Sequence, residues 1–201
     1  YYPGAAICVV RDDSIIFWKN YKEFTPDTKV YVASAGKWVA AAVIGAVVDR
    51  TDLDWNDNVK KWIPEFKNDV KGMITLRQLL SHTSGVRPYL PEPRVDNYNQ
   101  LDSAVMEILP LDTVFTPGTR FEHGGLAMQI AGRMAEKAMN KEFEELFQKL
   151  IARPLGMKSS HFTPVNTDGG HAPMLGGGLC TTLHDYMRFL DMIYHLSLIH
   201  I

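Results

Sequence analysis

A serine hydroxyl attacks a carbonyl carbon well only when a base takes its proton, and a neutral lysine amine one helical turn away can be that base. Ser34-Ala35-Gly36-Lys37 has this spacing. If Ser34 caps the helix that follows, Lys37 falls on the same face, and the partial positive charge of the helix start favours the alkoxide and keeps the amine easy to deprotonate. The pattern is weak by itself, because 8 serines and 12 lysines in 201 residues give about 0.5 such pairs by chance. Read alone, it fits an ordinary capped helix as well as a nucleophile and its base.

Other candidate chemistry is thinner. His161, His171, His184, His195 and His200 show no H-E-x-x-H and no compact spacing with carboxylates, so no metal site is expected. There is no G-x-S-x-G elbow and no G-x-x-x-x-G-K-[ST] phosphate loop, which argues against an α/β-hydrolase and a nucleotide site. Gly176 to Gly178 reads as a tight turn that lets backbone approach the site. Cys8 and Cys180 sit among apolar or small residues, as buried free thiols do. Arg77 and Arg120 read as solvated or capping charges, and Trp38 as core.

The elements that must hold Ser34 and Lys37 begin with a β-hairpin, with Ala5 to Val10 and Ile15 to Trp18 joined by Asp12-Asp13-Ser14. Ser34 to Arg50 is expected as a strongly buried helix capped by Ser34, since Val39, Ala42, Ile44 and Val47 leave little polar face. Leu53 to Phe66 reads as a short helix with turns ending at Pro64, and Thr75 to Leu80 as a helix capped by Thr75 and stopped by Ser84-Gly85. Arg87 to Gln100, with Pro88, Pro91 and Pro93, is a long loop; Asp102 to Leu109 is a short helix, and Pro117-Gly118 a turn. Leu126 to Ala138, Glu142 to Leu150 and a stretch from about Thr182 through Ile193 have helical spacing, with a further turn at Gly169-Gly170. No second set of strands is visible to complete a sheet.

The composition bounds the function. At 46% hydrophobic and 22% charged residues the chain is an ordinary globular one, and a net charge of -2 from 21 basic and 23 acidic residues offers no field for nucleic acid or an anionic membrane. No uninterrupted apolar run reaches the ~18 residues of a membrane span.

In this setting the apolar helix with one lysine in its first turn, together with Leu79-Leu80-Ser81-His82-Thr83-Ser84-Gly85, resembles the serine β-lactamase and penicillin-binding-protein superfamily. The likeness is to the branch of class C β-lactamases, D-alanyl-D-alanine carboxypeptidases and related esterases. Phe115-Thr116-Pro117-Gly118-Thr119-Arg120-Phe121, Pro154-Leu155-Gly156-Met157 and Gly177-Gly178-Leu179-Cys180-Thr181-Thr182 carry it along nearly the whole chain.

The resemblance implies an α/β fold in which an antiparallel sheet packs on a large helical region. It also implies acyl transfer through a covalent acyl-enzyme on a small-molecule acyl substrate, without a cofactor. Ser34 would be the nucleophile and Lys37 its base, with a backbone N–H at the helix start holding the oxyanion and Gly177 at the substrate. The family's Tyr-x-Asn element is altered, with His123 at the tyrosine position and Gly125 at that of the asparagine. His123 can carry the proton instead, since an imidazole titrates near neutrality, or it is a substitution that cripples the site. Gly125 lacks the amide that binds an amide side chain, which favours esters. His82 is expected as a structural turn residue near the site. The family's Lys-Thr-Gly or His-Thr-Gly strand is not found. Residues 1–201 are therefore expected to form one domain truncated at both ends, inactive by itself, with residues 197–201 resembling non-native read-through.

Overall fold

The computed structural model describes residues 3–91, 100–162 and 173–196. The Gly169-Gly170 turn, His171, His200, the 197–201 tail and most of the proline-rich loop lie outside them. β1 (Gly4–Arg11) and β2 (Ser14–Lys22) form the expected hairpin, paired from Gly4↔Lys22 to Arg11↔Ser14 with an irregularity at Val9/Val10. Asp12 and Asp13 both have positive φ, 48° and 61°, the backbone of the tight turns that match strand twist. Ile7, Val9, Val10, Ile15, Ile16 and Phe17 are all exposed, so neither face of the hairpin is buried in this chain.

The core lies among the helices. α1 (Gly36–Val48) buries Val39, Ala40, Val43, Ile44 and Val47 completely, and its main partner is α5 (Leu126–Met139). Two expectations are corrected here. Ser34 does not cap α1: it sits in a 3₁₀ turn, Ala33–Ala35, that runs into the helix, and no side chain caps either element. Its hydroxyl is thereby free to meet Lys37. Trp38 is 50% exposed, edge-on to Phe189, because it points away from the face that α1 turns to α5.

Between α1 and α5 run α2 (Val59–Trp62), α3 (Leu76–Leu80) and α4 (Leu101–Met106). Thr75 caps α3 as expected, and the Gln78 side chain completes the box by accepting the Thr75 N–H. Pro64 opens a 3₁₀ turn, Pro64–Phe66, instead of ending an element, since proline suits a first helical position. α6 (Phe143–Phe147) continues through a π turn, Gln148–Ala152, into α7 (Arg153–Leu155), and α8 (Leu183–Tyr194) is capped by the Thr182 hydroxyl.

A second sheet does exist. β3 (Val30–Tyr31) and β4 (His161–Phe162) flank β5 (Leu179–Thr181), all antiparallel in the order β3-β5-β4. Strands of two or three residues are too short to show an alternating pattern. Of the cysteines, both free, Cys180 is buried in β5, whereas Cys8 is half-buried on the hairpin.

Candidate active site

The small sheet brings together two chain segments far apart in sequence. β3 leads into the Ala33–Ala35 turn, β5 leads out of the Gly176–Gly178 turn, and the Val32 N–H donates to the Leu179 carbonyl at 3.0 Å. Ala33 sits at φ 47°, a left-handed conformation unusual for a residue with a Cβ, immediately before the candidate nucleophile. From the other side the Tyr186 hydroxyl donates to the Ala35 carbonyl at 3.1 Å, so α8 pins the same turn.

Lys37 Nζ lies 3.0 Å from Ser34 Oγ and also donates to the Gly176 carbonyl. Lys37 is 9% exposed, and burial holds its amine below the usual lysine range. A buried amine with a hydroxyl and a carbonyl as partners gives up its proton more readily than a solvated one, which suits it to take the hydroxyl proton.

Ser34, Lys37, Gly125 and Gly177 line one cavity of about 360 Å³. Its remaining wall comes from Tyr89, Leu90, Leu126, Met174 and Gln129, with Gly176 above the lysine. Sequence reasoning missed Tyr89, Gln129, Met174 and the Gly176 carbonyl; a glutamine beside Leu126 and Ile130 on an apolar helix face was the available signal. Gly176 is required where it stands, because a Cβ on it would lie 2.8 Å from Gly125 Cα. A Cβ on Gly177 would meet Ala33 Cα at an ordinary 3.6 Å, and one on Gly125 would meet Gly176 Cα at 3.8 Å.

His123 is apart from the other four: it is exposed, does not line the cavity and makes no hydrogen bond among the described residues. Its ring stacks at 5.1 Å on His82, which in turn stands edge-on to Phe121 at 5.7 Å. Burial, and then the nearby charges of His123 and Lys37, hold His82 below the usual histidine range. His82 Nδ1 is buried without a partner, and its backbone is left-handed at φ 56°. The segment around His82 is tied to the one carrying His123: the Glu122 N–H donates to the His82 carbonyl, Gly118 N–H to Thr83, and Gly125 N–H to Pro88. Arg120 pairs with Glu122 at the surface.

The protein-family model described as Beta-lactamase matches residues 1–198. This chain belongs to the beta-lactamase family. A crystal structure from Bacteroides dorei DSM 17855, provisionally assigned as a beta-lactamase, superposes with a TM-score of 0.92 at 81% identity, over 97% of this chain and 59% of that one. Among curated proteins, "Protein flp" of Staphylococcus aureus strain N315 is 26% identical over 182 residues, 84% of this chain and 36% of its own length. "Esterase EstB" of Burkholderia gladioli is 26% identical over 199 residues, 87% of this chain and 50% of its own. The chain thus spans half or less of these curated relatives. The fold is β-lactamase/transpeptidase-like, of the serine β-lactamase and penicillin-binding-protein superfamily, which includes serine hydrolases that cleave esters.

Proposed function

We propose that this chain carries the nucleophilic centre of a serine hydrolase that cleaves small esters through a covalent acyl-enzyme. The observation that carries the reading is the Ser34–Lys37 pair at 3.0 Å in a cavity, with the lysine amine made less basic by burial. Ser34 Oγ bonds to the substrate carbonyl carbon while its proton passes to Lys37 Nζ. The tetrahedral oxyanion accepts from the Ser34 backbone N–H just ahead of α1, then collapses and expels the alcohol, which takes up a proton. Water repeats the sequence on the acyl-enzyme and releases the acid. These steps draw on Ser34, Lys37 and backbone groups. His123 would hand the proton to the leaving group once substrate brings it into reach. Gly125 supports an ester preference, since it leaves cavity space where an amide side chain would stand.

A second reading, a binding protein of the same fold with an impaired relay, is favoured by one observation, the lack of any hydrogen bond between His123 and the Ser34–Lys37 pair. The full-length protein is expected to hydrolyse a chromogenic short-chain ester with a pH–rate inflection between about 5.5 and 7.5, and Ser34→Ala to abolish it. Turnover that persists in Ser34→Ala refutes the mechanism, and acylation without turnover supports the binding protein.

A further inference from the structure

Gln129 lies one helical turn beyond Gly125 on α5 and is 3% exposed between the buried side chains of Leu126 and Ile130. A primary amide in an apolar core is costly unless both of its ends are bonded. Both are: Nε2 donates to the Pro173 carbonyl at 3.2 Å, and Oε1 accepts the Leu175 N–H at 2.8 Å. These partners flank Met174, whose carbonyl accepts the N–H groups of Gly177 at 3.2 Å and Gly178 at 2.7 Å. The amide therefore grips one end of the turn whose crest presents the Gly176 carbonyl to Lys37 Nζ. The buried Leu175 side chain anchors the same segment, but an apolar anchor does not fix the rotation of a carbonyl.

We propose that Gln129 is a positioning residue for the Ser34–Lys37 pair: by holding residues 173 and 175 it sets the glycine turn over the lysine amine and keeps water from it. The inference rests on the Ser34–Lys37 reading above. The amine faces the Ser34 hydroxyl on α1 and the Gly176 carbonyl, with the rings of His82 and, beyond it, His123 on the remaining side. Among the described residues no carboxylate pairs with it, so burial alone keeps it less basic. Loosening the turn hydrates the amine and raises its pKa. Less of the neutral base is then present at neutral pH, by about ten-fold for each pH unit of rise.

The test is the rate at which a fluorophosphonate labels Ser34 in the full-length protein as a function of pH, with folding followed by circular dichroism. Gln129→Met keeps the volume and loses both bonds. Gln129→Leu also loses both bonds and, like Gln129→Met, adds no charge to the cavity wall that Gln129 shares with Lys37. The expected result is a rising limb displaced to higher pH in both variants, with both rates converging on wild type where the amine is deprotonated. A merely structural role lowers the rate at every pH without moving the limb, and that outcome overturns the proposal. Wild-type rates and limb in Gln129→Met overturn it while leaving the Ser34–Lys37 reading intact. A wild-type chain that is not labelled at any pH overturns both. If Gln129→Met does not fold, Gln129→Leu decides, and an unmoved limb there overturns the proposal.

Discussion

Replacing Gly176 with alanine is expected to push the glycine turn off the lysine amine. The added Cβ would stand 2.8 Å from Gly125 Cα, short of the 3.4 Å at which ordinary contact begins, so the two backbones must part by about half an ångström. The Cβ is fixed to its backbone and Gly125 Cα is main chain, so no flexible side chain can absorb the strain. Overpacking of this kind costs ~1–3 kcal/mol. If the turn yields, the Gly176 carbonyl leaves Lys37 Nζ, and the lost anchor is worth ~1–3 kcal/mol. Carried into the labelling step, that is a slowing of about five- to 150-fold. The adjacent Gly177→Ala is the control for backbone strain alone, because its Cβ would meet Ala33 Cα at 3.6 Å and requires no movement, although it adds a methyl to the cavity wall. Fluorophosphonate labelling rates and thermal midpoints of the two variants are to be compared. Labelling of Gly176→Ala at the wild-type rate, or an equal fall in the thermal midpoint of Gly177→Ala, refutes the reasoning that the turn positions the amine.

Gly125→Asn is expected to fold, since its Cβ has ordinary contact with Gly176 Cα at 3.8 Å, and to lower turnover of bulky esters by narrowing the cavity; kcat/KM across an acyl-length series checks this. Ala33→Val puts a β-branched residue at φ 47° and should lower stability by ~1–2 kcal/mol, read in urea unfolding, whereas Ala33→Gly should not. Burial raises the Glu144 carboxyl above the ordinary value despite bonds from Gln148 and the Phe162 N–H. A raised folded-state pKa gives stability that is full below the unfolded-state value and is lost as pH rises through the folded one. The thermal midpoint should therefore fall as pH rises out of the acid range, and Glu144→Gln should flatten that fall.

The helices were legible because their apolar spacing is long and regular: α5 begins and ends within a residue of expectation, and Thr75 could be read as the cap of α3. The family was legible from strings such as Leu79 to Gly85, and the structure gives their physical sense, since that segment is bonded to residues 114–125 around Gly118 and Glu122. β3, β4 and β5 were not legible, because two or three residues cannot alternate and β3 finds its partner β5 some 150 residues away, Val30 opposite Thr181. Ser34 was misread as a cap because its residue type suits that position, while the 3₁₀ turn that holds it depends on Ala33, a residue with no propensity for a left-handed backbone. Gln129 escaped notice because its bonds go to main-chain atoms, which sequence does not mark.

The contact between Lys37 and Gly176 joins residues 139 positions apart, and this bears on the order in which the molecule becomes reactive. Closing so large a loop is entropically unfavourable until much of the intervening chain is packed, so such contacts come late in folding. α1 can form and bury its apolar face against α5 while the lysine amine is still hydrated and protonated. During refolding, helical signal should then return before Ser34 becomes nucleophilic, and the lag between them times the docking of the glycine turn.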